Sequence, residues 1–325
     1  MTMLFSGFGG KSFGSPMPSL QLEGGAGYGE HPVKFIVSLG GGKVAAGGGG
    51  KLMLFAASGG QLKPLDTLEL PGEGACGGGW SPEGRLLAVC LEQSGGLVLV
   101  KVGERSFERL TAIYAGPEGG RPGPRFRSAV FAPGGGTLYA AHTALDRLYI
   151  FSVSPEGKIL SDRYIQLPEG DGIRQLLLRP DMGRMYASAE QVNAVMAFSL
   201  QSGEPVLMGK IPSLTPEYAM PSHQGSLCMD KSGAHLYVSN RGANTVTVFR
   251  TGADSPTGLE RVAEAPVCGD YPRQALLTPD GRQMVCCNQR SNSITVLPVG
   301  EDGVPGLPQR VIPFMRPSDV AFLED

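Results

Sequence analysis

Apolar residues along this chain come in short runs and alternations rich in Val, Leu, Tyr and Phe, interrupted by Gly, Pro, Asp and Asn. This is the pattern of strands joined by tight turns, and no stretch carries a sustained helical period. The pattern also repeats. The clearest copy starts at Met229, turns at Asp230–Gly233 and continues as LYVSNRGANTVTVF over Leu236–Phe249. Its nearest relative starts at Leu277 with TPDG and then MVCCNQRSNSITVL. Earlier copies read FAPGGGTLYAAHTALDRLYIF from Phe131, LRPDMGRMYASAEQVNAVMAF from Leu178 and WSPEGRLLAVCLEQSGGLVLV from Trp80. A degenerate copy, VSLGGGKVAAGGGGKLMLF, starts at Val37.

Each copy reads strand, tight turn, strand, short loop, strand, and then a fourth segment such as Leu160–Leu167 or Glu260–Ala265. The residues that close the first strands, Val37, Trp80, Phe131, Leu178, Met229 and Leu277, stand 43 to 51 residues apart. That is the spacing of propeller blades. A seventh blade is assembled from both ends of the chain. The tail, Arg316–Phe322, matches only a first strand, and the head, with MLFSGFGG and Leu20–Leu22, supplies the remainder. The expectation is an all-β, seven-bladed β-propeller with four-stranded antiparallel blades. It occupies residues 1–325 as a single domain, and its ring is closed by N- and C-terminal strands sharing one blade. Such closure removes exposed strand edges. A six-bladed ring with loose ends is the alternative. One Trp, with no Trp-Asp or Gly-His dipeptide, argues against the WD40 variety.

Composition changes this picture little. The chain has 325 residues, 41% of them hydrophobic and 18% charged, enough for a large core. Its 49 Gly and 26 Pro fall largely between the apolar runs, where turns need them. The clusters Gly40–Gly42, Gly47–Gly50 and Gly77–Gly79 read as mobile. A net charge of −2 without a basic stripe excludes a nucleic-acid partner and a polybasic membrane patch. No signal peptide and no membrane-length apolar stretch is recognisable. Six cysteines show neither CxxC pairs nor zinc spacing, so Cys90, Cys228 and Cys286 read as small buried hydrophobes. A cytoplasmic protein fits these features. Its oligomeric state is not readable.

Aligning the copies places equivalent residues in rings at one mouth of the central channel. Four residues before the anchor the ring reads Val33, Cys76, Arg127, Arg174, Gly225, Arg273 and Ser318. Twelve after it, the ring reads Gly49, Glu92, Thr143, Glu190, Arg241 and Gln289. Six before it, the ring reads His31, Gly74, Arg125, Gly172, His223, Tyr271 and Arg316, and His142 lies near the same rim. Converging guanidinium groups repel one another unless carboxylates or an anionic ligand neutralise them. Arginine forks suit carboxylate or phosphate. Two readings follow: a pocket for a small anion with Glu190 or Glu92 as the acid/base group, or an internal salt-bridge network that fills the channel. The histidines come from three blades without a metal-ligand spacing, so no metal is expected, and no cofactor. There is no GxSxG nucleophile motif, P-loop or dinucleotide fingerprint.

These residues resemble the lactonase family of seven-bladed propellers, which includes bacterial-type 6-phosphogluconolactonases and fungal carboxy-cis,cis-muconate lactonising enzymes. LYVSNRGANTVTVF is a close match to the family's NRG phrase. Tyr271-Pro272-Arg273 with TPDG matches its final PR blade, and Ile173-Arg174 with Ala189-Glu190 matches its PRH/NE blade in weaker form. The resemblance implies Arg174, Glu190 and Arg241 as the catalytic set. Arg127, Arg273, Glu92, His142, His223 and Gln289 are the expected substrate-binding residues. Two positions depart from the family: its channel histidine falls on Arg127, and the His of PRH becomes Gln175. The activity implied is hydrolysis of a small acidic lactone, phosphorylated or carboxylated, with Glu190 positioning or deprotonating water and the arginines stabilising charge on the carbonyl oxygen. The alternatives are a cycloisomerase of an unsaturated dicarboxylate and a non-catalytic propeller that binds a small anion or a protein partner.

Overall fold

A computed structural model describes residues 2–12, 15–25, 27–29, 31–114, 126–181 and 183–323. Two compact units are present, Met1–Glu169 with Ser318–Asp325, and Gly170–Pro317. Seven four-stranded sheets are built from the repeats, with one small hairpin, Gly10–Ser12 against Ser15–Met17. In six sheets the strands follow chain order and pair antiparallel, so each sequence copy becomes one sheet. Sheets one to three span residues 35–69, 75–114 and 126–166, and sheets four to six span residues 173–212, 223–266 and 272–313. The seventh takes its first strand, Pro317–Leu323, from the tail and Thr2–Gly7, Leu20–Leu22 and Gly27–Tyr28 from the head.

Burial follows the period of each strand. The second strands are the innermost apolar segments; Leu86–Leu91 is buried at every residue. The outer strands alternate instead, as Val206–Pro212 does, because only one face has a neighbour. Within the first unit, Phe35, Leu54, Leu87, Val98 and Val100 belong to one cluster and Phe126, Leu138 and Phe151 to another. Within the second, Tyr186, Leu227, Leu236 and Phe249 form a comparable core. Each fully buried large side chain contributes about 1.5–3 kcal/mol of transfer free energy. The chain ends are tied by polar contacts. Ser6 and Ser318 hydroxyls lie 3.1 Å apart, Ser318 Oγ donates to the Val33 carbonyl at 2.7 Å, and Ile36 N–H donates to Asp319 Oδ2 at 2.9 Å.

The glycine clusters differ from expectation. Gly77–Gly79 lie inside the strand Ala75–Ser81, and a Cβ on Gly79 would sit 2.4 Å from the Ala129 carbonyl oxygen. Gly47 and Gly48 end the strand Lys43–Gly48, where a Cβ on Gly48 would meet the Pro32 carbonyl at 1.9 Å. These are sites of close backbone approach rather than loose loops. Gly40–Gly42 does form a turn, with positive φ throughout. Among the described residues the helical content is a single 3₁₀ turn, Thr143–Leu145.

Candidate functional site

The arginines of the predicted ring share one backbone device. In each of sheets two to six the pairing of first and second strands slips by a bulge near the start of the first strand. The slip falls between Phe126 and Ser128, between Ile173 and Leu176, and between Pro272 and Gln274. Arg127, Arg174 and Arg273 are the residues it displaces from the ladder. Cys76 and Gly225 occupy the same place in sheets two and five. A bulge turns a side chain out of the sheet's alternation, and bulges of this kind recur beside active sites. The partner ring follows the second strands. Backbone N–H groups of Glu92, Glu190 and Gln289 donate to the carbonyls of Gly74, Gly172 and Tyr271 at 2.9, 2.9 and 3.0 Å. One repeated bond therefore fixes how far each acidic or amide side chain stands from the first strand of its own sheet.

In the second unit these rings gather Glu190, Arg241 and Arg174. Arg241 Nη2 lies 2.5 Å from Glu190 Oε1, and Arg174 Nε lies 3.5 Å from Glu190 Oε2. Arg174 Nη1 also donates to the Gly225 carbonyl. Arg241 donates from Nε and Nη2 to the Gln224 carbonyl, at 3.2 and 2.7 Å. All three charged residues are buried, at 9%, 5% and 9% exposure for Glu190, Arg241 and Arg174. One carboxylate between two guanidinium groups leaves a net positive charge, which favours an anionic ligand or a developing oxyanion. Gly225 is glycine for a physical reason: a Cβ there would meet Ser239 Oγ at 2.3 Å and the Pro272 carbonyl at 2.8 Å. Its smallness lets the next sheet close in.

Three neighbours complete this cluster. His223 pairs across the ladder with Arg241 and keeps a buried Nδ1 that has no hydrogen-bond partner among the described residues. Gln224 is fully buried, and both its amide nitrogen and oxygen lack partners among the described residues. The Arg241 guanidinium lies 5.2 Å from the centre of the Tyr271 ring. Gln224 and Tyr271 escape a search for arginines and carboxylates because neither belongs to those residue types. Arg273 and Gln289 flank the same strand pair, both half-buried.

The first unit holds a second cluster of the same kind. Glu92 pairs with Arg127 through one oxygen and with Lys34 through the other. All three side chains are between 13% and 16% exposed. Sequence alignment puts Val33 at the place Lys34 occupies. In sheet one the first and second strands pair Phe35 with Gly47 through Ser38 with Val44, and the register shifts only after Ser38, before Gly40, instead of near the start of the first strand. Counting back from Ser38 rather than Val37 brings Lys34 to the cationic position. The signal was present in the sequence, as a lysine one residue out of frame.

His142 is a correction. It is fully buried, its ring 4.9 Å from Phe126 and 6.1 Å from Tyr149, and its Nδ1 accepts the Leu145 N–H at 3.2 Å. Burial lowers its pKa to about 4. It is a neutral helix-turn cap in the core, with no surface to offer a substrate, because it ends the second strand one residue before the ring position held by Thr143. His31 is exposed. The cysteines Cys90, Cys228 and Cys286 lie buried in strands as expected, and burial pushes the Cys228 thiol up to about 12.

Residues 44–322 match the family described as lactonase, 7-bladed beta-propeller. The chain belongs to that family. The expectation of seven blades, one of them shared by the two chain ends, therefore holds. Among curated proteins, a 6-phosphogluconolactonase of Klebsiella pneumoniae is 24% identical over 182 residues, covering 54% of each chain. The chain spans about half the length of the curated relatives it matches. A solved structure of a protein from Lactobacillus plantarum superposes with a TM-score of 0.88 at 20% identity, over 99% of both chains. The periplasmic gluconolactonase of Pseudomonas aeruginosa superposes with a TM-score of 0.87 at 18% identity, again over 99% of both. At such identity these likenesses speak for the fold. Among the described residues no helix is long and apolar enough to cross a membrane, and no group of three His, Cys, Asp or Glu residues is arranged around a common metal position.

Proposed function

We propose that this lactonase-family protein hydrolyses a small acidic lactone at the Glu190 cluster. The observation that carries this reading is the buried Glu190 carboxylate held between Arg241 and Arg174. Family membership supports it, as do relatives named for lactone hydrolysis. Water adds to the lactone carbonyl carbon, the ring C–O bond breaks, and the products are one carboxylate, one hydroxyl and a released proton. Glu190 already accepts from Arg241 and is ion-paired with Arg174, so it orients the water better than it removes a proton from it. The unpartnered Nδ1 of His223, across the ladder from Arg241, is the acceptor for that proton. Arg241 and Arg174 supply positive charge where the carbonyl oxygen becomes negative, a contribution worth about 10²–10³ in rate for a well-placed donor.

The test compares hydrolysis of 6-phosphogluconolactone by wild type and by Glu190→Gln, followed as proton release above the spontaneous rate. Wild type should accelerate the reaction, and the variant should lose roughly a hundredfold in kcat. A wild-type rate equal to the spontaneous one overturns the reading.

A further inference from the structure

A cavity of about 480 Å³ beside the Glu190 cluster lies in the second unit, lined by Tyr271, Gln289, Arg290, Asn292, Met315 and Arg316. Two of these residues sit where a side chain is costly. Tyr271 has φ +64° and Arg316 has φ +47°. At the matching position of sheets two and four the chain uses glycine, Gly74 at φ +85° and Gly172 at φ +68°. The equivalence is exact in hydrogen bonding for Tyr271, whose carbonyl accepts from Gln289 as those of Gly74 and Gly172 accept from Glu92 and Glu190. A left-handed backbone is strained at a non-glycine residue, whose Cβ crowds the following carbonyl oxygen. Sheet five has His223 there, without a left-handed backbone, and Arg125 of sheet three lies outside the described residues. Retaining a tyrosine and an arginine in this conformation, where sheets two and four use glycine, points to a use for those side chains.

The backbone at both places is held by one device. Asn244, at φ +61°, accepts the Tyr271 N–H on Oδ1 at 2.9 Å, and Asn292, at φ +53°, accepts the Arg316 N–H on Oδ1 at 3.0 Å. The side chains are therefore presented from a fixed frame. The Arg290 guanidinium stacks 3.9 Å from the centre of the Tyr271 ring. The residues lining the cavity bring two guanidinium groups and no carboxylate. The nearby Asp270 carboxylate accepts instead from Asn244 Nδ2 at 3.1 Å. A phosphate monoester carries about −1.5 to −2 charges at neutral pH, which matches two arginines better than a single carboxylate does. Tyr271 also faces the other way, with Arg241 of the Glu190 cluster 5.2 Å from its ring centre.

We infer that the Tyr271–Arg290–Arg316 cavity is an anion subsite that holds the phosphoryl group of a phosphorylated lactone while the Glu190 cluster acts on the ring ester. This rests on the proposed lactone hydrolysis for its catalytic consequence, but not for binding. Tyr271 positions Arg290 by stacking, Arg290 and Arg316 bond the phosphoryl oxygens, and Gln289 and Asn292 line the remaining wall. The subsite separates phosphorylated from unphosphorylated lactones by charge.

Steady-state kinetics on 6-phosphogluconolactone and on gluconolactone, for wild type, Arg290→Ala and Arg316→Gly, test this. Glycine at 316 suits the local backbone, so that variant is expected to fold. Each variant should lower the ratio of kcat/KM for the phosphorylated over the unphosphorylated lactone by roughly ten- to a hundredfold, the worth of one charge-assisted bond, through KM rather than kcat. Equal loss on both lactones, or none, overturns the subsite. Titration of inorganic phosphate by calorimetry decides the matter independently of turnover. Wild-type binding that weakens at least tenfold in both variants upholds the subsite even where neither lactone is hydrolysed and the catalytic reading has failed. No phosphate binding by wild type, or equal binding by all three proteins, overturns the subsite even where hydrolysis is observed.

Discussion

Arg241 reaches Glu190 from the next sheet, Nη2 to Oε1 at 2.5 Å, while the same guanidinium holds the Gln224 carbonyl at 2.7 and 3.2 Å. The backbone carbonyl fixes the plane of the guanidinium, and the plane fixes where the carboxylate sits. A fork of this kind cannot be replaced by a point charge. Arg241→Lys keeps the charge and loses the geometry. Its kcat/KM should fall by roughly ten- to a hundredfold, and urea unfolding should show a loss of about 1–3 kcal/mol. Arg241→Ala strips one of two cations from a buried carboxylate and should lose about 3–5 kcal/mol. A lysine variant indistinguishable from wild type in both measurements would mean that the guanidinium geometry is immaterial.

The left-handed positions before the first strands make a second, purely energetic prediction. At Gly74 a Cβ would lie 2.7 Å from the Gln93 backbone nitrogen, on a residue already at φ +85°. Gly74→Ala should therefore destabilise the protein by about 2 kcal/mol or more, combining left-handed strain with overpacking against backbone. Arg316→Gly goes the other way. Relief of about 1 kcal/mol of strain offsets about 0.4–1 kcal/mol of extra unfolded-state entropy, so its melting temperature should stay close to wild type. Calorimetric melts of the two variants beside wild type check both. A Gly74→Ala protein as stable as wild type would remove the backbone reason for glycine there, and with it the contrast that makes Tyr271 and Arg316 unusual.

Much of this was legible in the sequence because a repeat turns spacing into position. The anchors Trp80, Phe131, Leu178, Met229 and Leu277 each pair with the residue seven further on, so counting from them lands Arg127, Arg174 and Arg273 on the bulges and Glu92, Glu190 and Gln289 on the repeated backbone bond. Sheet one breaks the count. Val37 pairs with Ala45, eight further on, and Ser38 with Val44, six further on, and it is Lys34 rather than its neighbour Val33 that reaches Glu92. Hydrophobicity cannot show a one-residue change of register when both candidates sit in a glycine-rich run. His142 misled for the opposite reason. Its residue type suggested chemistry, whereas its alternation, one step before Thr143, aims it into the core. Tyr271 was legible only in part. That a tyrosine stands in a row with Gly74 and Gly172 is visible in sequence, but that the backbone there is left-handed is not.

His142 gives the chain a specific acid sensitivity. The Leu145 N–H donates to its Nδ1 at 3.2 Å, so a proton on that nitrogen would displace the bond, and burial lowers the pKa from 6.5 to about 4. The unfolded chain binds this proton near pH 6.5 and the folded chain does not until near pH 4. Stability from this group is complete above about pH 6.5, falls as the pH drops toward 4 and is level below that, for a total of about 3 kcal/mol. Asparagine stands at the equivalent place in sheets five and six, as Asn240, one residue before its strand ends, and as Asn288, which ends its own. His142→Asn should therefore be tolerated, since a short polar side chain can also cap the turn, and it removes the titration. Carboxylates contribute equally to both proteins, so the difference between their melting curves from pH 7.5 to 4 isolates this histidine. Wild type should lose its advantage over the variant across that window. Curves that run parallel would mean that His142 titrates alike in the folded and unfolded chain.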